Sequence, residues 1–151
     1  MINHFTFLKI AEILSKESKC VSKKVGAIFV KDNRIIASGI NGSPSGSVNC
    51  NDVFNPLDFN RENHNRWQKN NECHAEMNAI IFAAKNGVKI DSDCILYSTL
   101  QPCCNCLKHI ASLGIKTIYY INLYDKCDWN DETYHMLNQL SMKVKQLSIP
   151  R

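Results

Sequence analysis

Two cysteines separated by two residues, Cys103 and Cys106, directly follow Pro102. This spacing lets two thiolates at the first turn of a helix converge on one tetrahedral metal ion. The partial positive charge of the helix N-terminus favours the deprotonated thiols. Redox-active and structural cysteine pairs have the same spacing, so the pair alone does not identify a zinc site.

A third candidate ligand, His74, begins another predicted helix 29 residues before Cys103. Together with Cys106 these residues would leave the fourth position of a tetrahedral zinc ion open to water, as in catalytic zinc sites. Glu76 follows His74 by two residues and could carry protons to and from that water without being a ligand. The combination of His-x-Glu with Pro-Cys-x-x-Cys is typical of zinc nucleobase deaminases.

A closed structural zinc site, completed by Cys73 or Cys104, is the alternative. Each of these cysteines is the sequence neighbour of a candidate ligand, so its side chain should point away from the ion. We therefore expect Cys73 and Cys104 to be packing residues. A disulfide between Cys103 and Cys106 is less consistent with a reducing cytoplasm.

The remaining sequence predicts the elements that position these motifs. Apolar residues at helical spacing predict a helix from Ile2 to about Ser18, and a hairpin follows with Asp32-Asn33 at its turn. The hairpin strands are 25–30 and 34–40; further helices are predicted over 74–86, 103–113 and 131–140, and strands over 94–99, 116–121 and 142–146. The order predicts three layers, with a mixed sheet between helices. The apolar helix over 74–86 is expected to be buried on most sides.

The segment 41–71 contains several Gly, Pro, Asn and Asp residues and shows little periodicity. It is therefore predicted to be a long irregular insertion, and loops of this length are usually functional. A chain of 151 residues has the size of one domain, so we expect a single domain over 1–151 that contains this insertion.

Composition excludes several classes of protein. A hydrophobic fraction of 44% without any long apolar run is typical of a globular protein that does not enter membranes. The net charge of +4 is spread along the chain, which favours a small anionic ligand over a nucleic acid. The N-terminal stretch does not resemble a signal peptide, so we expect a cytoplasmic protein whose eight cysteines serve as metal ligands, catalytic thiols or core residues.

Beyond the zinc motifs, five segments resemble the cytidine and deoxycytidylate deaminase superfamily, and within it the phage-type deoxycytidylate deaminases. They are Glu17–Cys20, Lys24–Ala27, Gly39–Gly46, Glu76–Ile80 and Tyr124–Lys126. The resemblance covers most of the chain. It implies a cytidine-deaminase-like α/β/α fold with a mixed five-stranded sheet, a homo-hexamer, and zinc-dependent hydrolysis of dCMP to dUMP, which would supply dUMP for dTMP synthesis. A phage-encoded protein would act in the host cytoplasm.

The resemblance also implies roles for individual residues. Glu76 would take a proton from the attacking water and deliver it to N3 of cytosine and then to the leaving amine. The Ala75 N–H would hold the base carbonyl, and Asn41 would hydrogen-bond the sugar. Asn41 could instead only shape the turn into Gly42.

Donors for the substrate phosphate are expected at Lys24 and in the segment 43–46, which begins with Ser43. Lys24 could equally be a solvated surface charge. Tyr120 and Tyr124 would stack near the substrate or belong to the core.

Phage-type relatives carry a second, structural zinc ion, and candidate ligands for it are Cys20, Cys50, His64 and Glu72. Such a metal would tie the long insertion to the core. Buried free thiols beside a solvated histidine are the alternative.

Two departures from the family concern regulation. The insertion is shorter than in phage-type relatives, and Lys85 stands where an arginine is more usual. Many family members are activated by dCTP and inhibited by dTTP, and the departures leave open whether these nucleotides, with Mg²⁺, act as effectors here. A shortened lid would also admit a triphosphate, so a bifunctional dCMP/dCTP deaminase is an alternative.

Two other functions remain as alternatives. A tRNA adenosine deaminase has the same zinc motifs but would normally carry more basic charge. A non-catalytic, zinc-stabilised binding module would have no use for Glu76 beside its histidine. Both hypotheses have less support than that of a nucleotide deaminase, for which we expect no nucleic-acid or membrane partner.

Overall fold

The computed structural model describes residues Met1–Arg151. The elements in chain order are α1 (His4–Ser15), β1 (Gly26–Lys31), β2 (Arg34–Ile40), α2 (Cys50–Val53), α3 (Arg61–Asn71), α4 (Ala75–Lys85), β3 (Ile95–Leu100), α5 (Cys104–Ser112), β4 (Thr117–Asn122), α6 (Asp131–Gln139) and β5 (Lys143–Gln146). None of the helices combines the length and apolar character that crossing a membrane requires.

The five strands form one mixed sheet in the order β2-β1-β3-β4-β5. Strand β1 pairs antiparallel with both β2 and β3, whereas β3, β4 and β5 are parallel. Asp32 and Asn33 make the tight turn of the hairpin with positive φ angles of 51° and 61°, a conformation that Asn and Asp tolerate better than most residues. The predicted hairpin and mixed sheet are confirmed.

Helices cover both faces of the sheet, which confirms the predicted three layers. On one face, α1 packs Phe7 and Leu8 against Ile28 and Tyr97. On the other face, α4, α5 and α6 enclose the larger of the two apolar clusters. Because β1 lies between these two layers, all but the last of its residues are buried.

The segment 41–71 is not irregular throughout, so this prediction is wrong for α2 and for the eleven-residue α3. Helix α3 is polar on nearly every side, and only His64 is buried, so no apolar periodicity marks it. Its start is fixed by the Asn60 side chain, which accepts a hydrogen bond from the Asn63 N–H. It packs on Phe54 through the rings of His64 and Trp67, at centroid distances of 5.1 and 5.7 Å.

Helix α4 is buried on one side only, contrary to the prediction. Ala75, Ala79 and Ala83 lie at i, i+4 spacing against the sheet, whereas Ile81 and Phe82 are 42% and 46% exposed. The small alanines leave room for a very close approach to β2. The opposite side of α4 therefore presents apolar side chains at the surface of the chain.

Gly39 sets the distance between α4 and the sheet. A Cβ atom at this position would lie 2.3 Å from the Ala75 carbonyl oxygen and 2.5 Å from the Ala79 nitrogen. Both atoms belong to the helix backbone, so no rotation of a side chain could relieve the clash. The start of α4 is thus fixed against the second strand.

We expect Gly39→Ala to destabilise the protein by about 1–3 kcal/mol or more, because α4 must move off the sheet to admit the methyl group. Urea unfolding followed by circular dichroism measures the change. The matched control is Gly42→Ala, where a Cβ would meet nothing within 4 Å. Equal stability of the two variants would contradict this view of the contact between α4 and β2.

Candidate active site

Two helix N-termini meet near the ends of the central strands. His74 is the N-cap residue of α4, and Cys103 is the N-cap residue of α5. Both have extended backbone conformations, with ψ angles of 156° and 161°. Only two residues separate Cys103 from the end of β3, so the sheet fixes the position of the α5 N-terminus.

His74, Cys103 and Cys106 converge with the geometry of metal ligands. The His74 Nδ1 atom lies 3.4 Å from Cys103 Sγ and 3.3 Å from Cys106 Sγ. Ligand lengths for tetrahedral zinc give about 3.6 Å between a bound nitrogen and a bound sulfur. The three side chains therefore fit a zinc ion, and they supply three protein ligands.

The two thiols of this cluster differ in pKa because of the hydrogen bond between them. The pKa of Cys103 is lowered by a hydrogen bond from the Cys106 thiol and, beyond that, by the neighbouring His74. The same hydrogen bond raises the pKa of Cys106. A bound metal ion would hold both thiols deprotonated, so metal binding would release the protons that remain on the cluster.

Glu76 lies in the first turn of α4 and is 4% exposed. Its Oε1 atom accepts a hydrogen bond of 3.2 Å from the Ser98 hydroxyl on β3. Burial raises the pKa of Glu76, which brings the carboxyl group closer to the range in which it can both accept and donate a proton. This arrangement suits a proton carrier beside the metal ligands.

A small cavity of about 50 Å³ lies over the metal ligands and Glu76. Its lining combines aliphatic side chains with polar groups: Lys23, Val25, Asn41, Gln68, His74, Ala75, Glu76, Leu100, Gln101, Cys103 and Tyr124. We call this cavity the zinc pocket. Of the residues expected to contact a substrate, it contains Asn41, Ala75 and Tyr124.

Asn41 is 4% exposed and is bonded to the neighbouring backbone. Its Nδ2 donates to the Lys23 carbonyl at 2.7 Å, and its Oδ1 accepts from the Val25 N–H at 2.9 Å. Asn41 therefore holds the entry to β1 as well as lining the pocket. The sequence did not predict these two hydrogen bonds.

Three residues expected at the substrate do not line the zinc pocket. Lys24 is exposed and lines a different cavity. Ser43 lines a groove between the segment after β2 and α4. Tyr120 is 6% exposed and belongs to the buried part of β4. Lys24 does not reach the zinc pocket because successive side chains point in alternate directions as the chain enters β1, so that Lys23 faces the pocket and Lys24 faces away from it.

Neither neighbouring cysteine joins the metal ligands. Cys104 Sγ lies 3.7 Å from the Thr133 hydroxyl on α6, and Cys73 belongs to neither candidate metal cluster. The segment after β4 also supports α5, because the Asp128 carboxylate accepts the Cys104 N–H at 2.8 Å and the Trp129 indole donates to the Pro102 carbonyl at 2.8 Å. Neither contact is indicated by a local sequence pattern.

A second cluster brings together Cys20, Cys50, His64 and Glu72. The His64 Nε2 atom lies 3.8 Å from Cys20 Sγ and 3.4 Å from Cys50 Sγ, close to the same expected spacing of about 3.6 Å. His64 is fully buried, so the alternative of a solvated histidine is wrong.

Burial disfavours the charged forms of the groups in this second cluster. It raises the pKa of Cys20 to about 11, raises the pKa values of Cys50 and Glu72, and lowers that of His64. The Glu72 Oε1 atom is buried without a hydrogen-bond partner. An orphaned carboxyl oxygen beside two thiols and an imidazole fits a divalent metal, which would displace the protons and satisfy the oxygen.

The zinc pocket also contains residues that the sequence did not single out. Lys23 and Gln101 lie next to predicted motifs. Gln101 could have been identified as a pocket residue because it directly follows a central strand. The Gln101 side chain accepts the Tyr124 N–H at 3.2 Å and so attaches the segment after β4 to the pocket. Gln68 lies on α3, whose polar sequence gave no signal.

Comparison with known proteins agrees with this site. Residues 1–122 match the family model described as the cytidine and deoxycytidylate deaminase zinc-binding region. Deoxycytidylate deaminase of Enterobacteria phage T4 is 41% identical over 159 residues, covering 83% of this chain and 82% of the phage protein. The crystal structure of dCMP deaminase from cyanophage S-TIM5, in complex with dCMP and dUMP, is similar with a TM-score of 0.74 and 36% identity, and the similarity covers 94% of both chains.

The fold extends to more distant proteins. A tRNA:A34 deaminase has a TM-score of 0.62 at 20% identity, covering 94% of this chain and 97% of that one, which shows a shared fold alone. The expected cytidine-deaminase-like α/β/α fold is confirmed by the phage structure. With the family model matching most of its length and the zinc motifs in place, the chain belongs to the cytidine and deoxycytidylate deaminase family.

Proposed function

We propose that the protein catalyses the zinc-dependent hydrolytic deamination of dCMP, in which water and dCMP give dUMP and ammonia. The observation that carries the proposal is a three-ligand cluster with the buried Glu76 carboxyl group beside it, at the floor of the zinc pocket. The similarity to phage deoxycytidylate deaminases identifies the nucleotide.

His74, Cys103 and Cys106 hold the catalytic zinc ion, which when bound supplies the Lewis acidity that makes water a nucleophile near neutral pH. Glu76 accepts the proton of that water and then donates it to N3 of cytosine. The same carboxyl group carries the second proton to the leaving amine, so its buried position beside Ser98 must suit both directions of transfer.

The N-terminus of α4 orients the base. The Ala75 N–H lies in the first turn, where a helix leaves its N–H groups without intrahelical acceptors. Ala75 is fully buried and lines the zinc pocket, so its N–H is a donor for the carbonyl oxygen of cytosine. Tyr124 and Leu100 supply apolar surface for the ring.

A second zinc ion is part of the proposal, with Cys20, Cys50, His64 and Glu72 as its ligands. The converging ligand atoms and the orphaned Glu72 oxygen support it. Helix α3 supplies His64, and Glu72 caps its C-terminus. This metal would therefore fix the helix that carries Gln68 into the zinc pocket.

We also propose a cytoplasmic homo-oligomer, with the hexamer of the family as its form. The exposed Ile81 and Phe82 on α4 support contact between copies, and eight free cysteines support a reducing compartment. The groove that contains Ser43 and Lys85 lies outside the zinc pocket and is the proposed site for dCTP and dTTP with Mg²⁺.

Release of ammonia from dCMP, dCTP, deoxycytidine and an adenosine-containing tRNA hairpin tests the proposal, with and without added dCTP or dTTP. We expect dCMP to have the highest kcat/KM. Preference for dCTP would favour the bifunctional alternative, and activity on the hairpin alone would favour a tRNA deaminase. A protein inactive on every cytosine compound would overturn the proposed function.

We expect Glu76→Gln to lower kcat for dCMP by about 10²- to 10⁴-fold, because the amide cannot transfer the protons. Zinc content and unfolding temperature should stay near those of the wild type, since the amide has a similar shape. Stopped assays of dUMP formation and elemental analysis measure both. Glu62→Gln, on the exposed first turn of α3, is the control; full activity of Glu76→Gln would remove this residue from the mechanism.

Elemental analysis should give about two zinc ions per chain for the wild type and about one for Cys50→Ser, since three remaining ligands hold a structural metal poorly. Hydrogen exchange should become faster in α3. Cys127→Ser changes a cysteine outside both clusters and should retain the wild-type metal content. One zinc ion per wild-type chain would contradict the second site.

A further inference from the structure

The two metal clusters meet at the short segment between α3 and α4. Glu72 of the second cluster and His74 of the catalytic cluster are separated by one residue. Glu72 is the C-cap residue of α3, and His74 is the N-cap residue of α4. Because only two planar peptide units separate these ligands, a shift of one is transmitted to the other.

The residue between these two ligands, Cys73, pairs with the segment after β2. Its N–H donates to the Gly42 carbonyl at 2.9 Å, and its own carbonyl accepts the Gly42 N–H at 3.1 Å. The pairing is an antiparallel bridge, so the next residues, Asn41 and His74, lie opposite each other. Both of them line the zinc pocket.

Ser18 connects the same bridge to the second cluster from the opposite side. Its hydroxyl donates to the Asn41 carbonyl at 2.9 Å and accepts the Cys20 N–H at 3.3 Å. Ser18 is 2% exposed, so water does not compete for these hydrogen bonds. Cys20 is itself a ligand of the second cluster, and Ser18 therefore links that cluster to the backbone of a pocket residue.

Together these contacts form a path that leaves the second cluster and returns to it. The path contains Cys20, Ser18, Asn41, Gly42, Cys73 and Glu72. The ligand atoms at its two ends lie within 4.8 Å of each other, so one metal ion bound to both would close the path into a ring. We call this path the linking ring. Without that metal it is open at one point and only hydrogen bonds join its parts.

The linking ring acts on the catalytic ligand that has the least packing around it. His74 is exposed, whereas Cys103 is half-buried and Cys106 is buried. The two cysteines also lie at the start of α5, whose position the sheet fixes. Any loss of restraint in the segment before α4 therefore falls mainly on the histidine.

We propose that the linking ring couples the two metal sites, so that zinc bound at either cluster raises the affinity of the other cluster for zinc, an inference that rests on the proposed function. Ser18 is the positioning residue of this link. With the ring closed, the backbone of His74 is already ordered, and less conformational entropy is lost when its imidazole binds the catalytic zinc. Because binding free energies are linked, the catalytic zinc raises the affinity of the second site by the same factor.

Zinc loading of the full chain tests the coupling, with free zinc set by a chelator and bound zinc counted by native mass spectrometry. Cys50→Ser leaves the catalytic site intact, and Cys106→Ser leaves the second site intact. The two single-site curves predict the loading of the wild type if the sites are independent. We expect the wild type to load at lower free zinc, with a coupling factor of about 10; a wild-type curve equal to the sum of the single-site curves would overturn the coupling.

Ser18→Ala keeps every metal ligand and breaks the linking ring. It should still bind two zinc ions, but its loading curve should move toward that of independent sites. Ser47→Ala is the matched control, because the Ser47 hydroxyl also donates to a backbone carbonyl, that of Pro44 at 2.7 Å, outside the ring. A wild-type coupling factor in a Ser18→Ala variant with a cooperative unfolding transition would overturn the role of the ring.

Hydrogen exchange gives a second test that does not need the Ser18 variant. The amides of Gly42 and Cys73 bond only to each other's carbonyls, and neither residue is a metal ligand. Both amides should exchange faster in Cys50→Ser than in the wild type and stay at the wild-type rate in Cys127→Ser. Unchanged rates in Cys50→Ser would contradict the linking ring.

The outcomes separate this inference from the proposed function. Two zinc ions that bind independently to a protein that deaminates dCMP would overturn the coupling alone. Two coupled zinc ions in a protein that releases no ammonia from any cytosine compound would overturn the proposed reaction and leave the coupling. A wild-type chain that binds only one zinc ion would overturn the second site together with the coupling.

Discussion

The structure depends on the meeting of two helix N-termini over the sheet. His74 and Cys103 are N-cap residues, so the fields of both helices point at the same small volume. That field favours thiolates, and the adjoining Glu76 is buried beside them. The contact of Gly39 with the α4 backbone and the two-residue link from β3 to Cys103 fix the two termini. Because rigid helices and strands carry the ligands, the ligand atoms need not rearrange to bind a metal.

Helix α3 connects the second metal cluster with the zinc pocket. His64 belongs to the second metal cluster, and Gln68 lines the zinc pocket. A helix with one buried side chain has little apolar surface to stabilise it, so its position depends on polar contacts and on the second cluster. This explains why a polar insertion of low sequence periodicity forms part of the wall of the zinc pocket.

The sequence was most informative where spacing reflects geometry. The two zinc motifs led to His74, Cys103 and Cys106, and alternation led to the hairpin, because both patterns are local. Helix α3 could not be found from apolar periodicity, since its stability comes from caps and tertiary contacts. Lys24 was expected at the substrate phosphate, whereas the structure brings Lys23 to the zinc pocket, because one residue of register before β1 decides which lysine faces it.

Four of the eight free thiols lie in the two candidate metal clusters, where bound metal ions would also protect them. Cys103 and Cys106, like Cys20 and Cys50, have sulfur atoms within 4.8 Å of each other. A thiolate bound to zinc is shielded from oxidants, whereas a pair without metal is close enough to be oxidised. Loss of the metals in air would therefore expose these thiols to oxidation that zinc alone could not reverse.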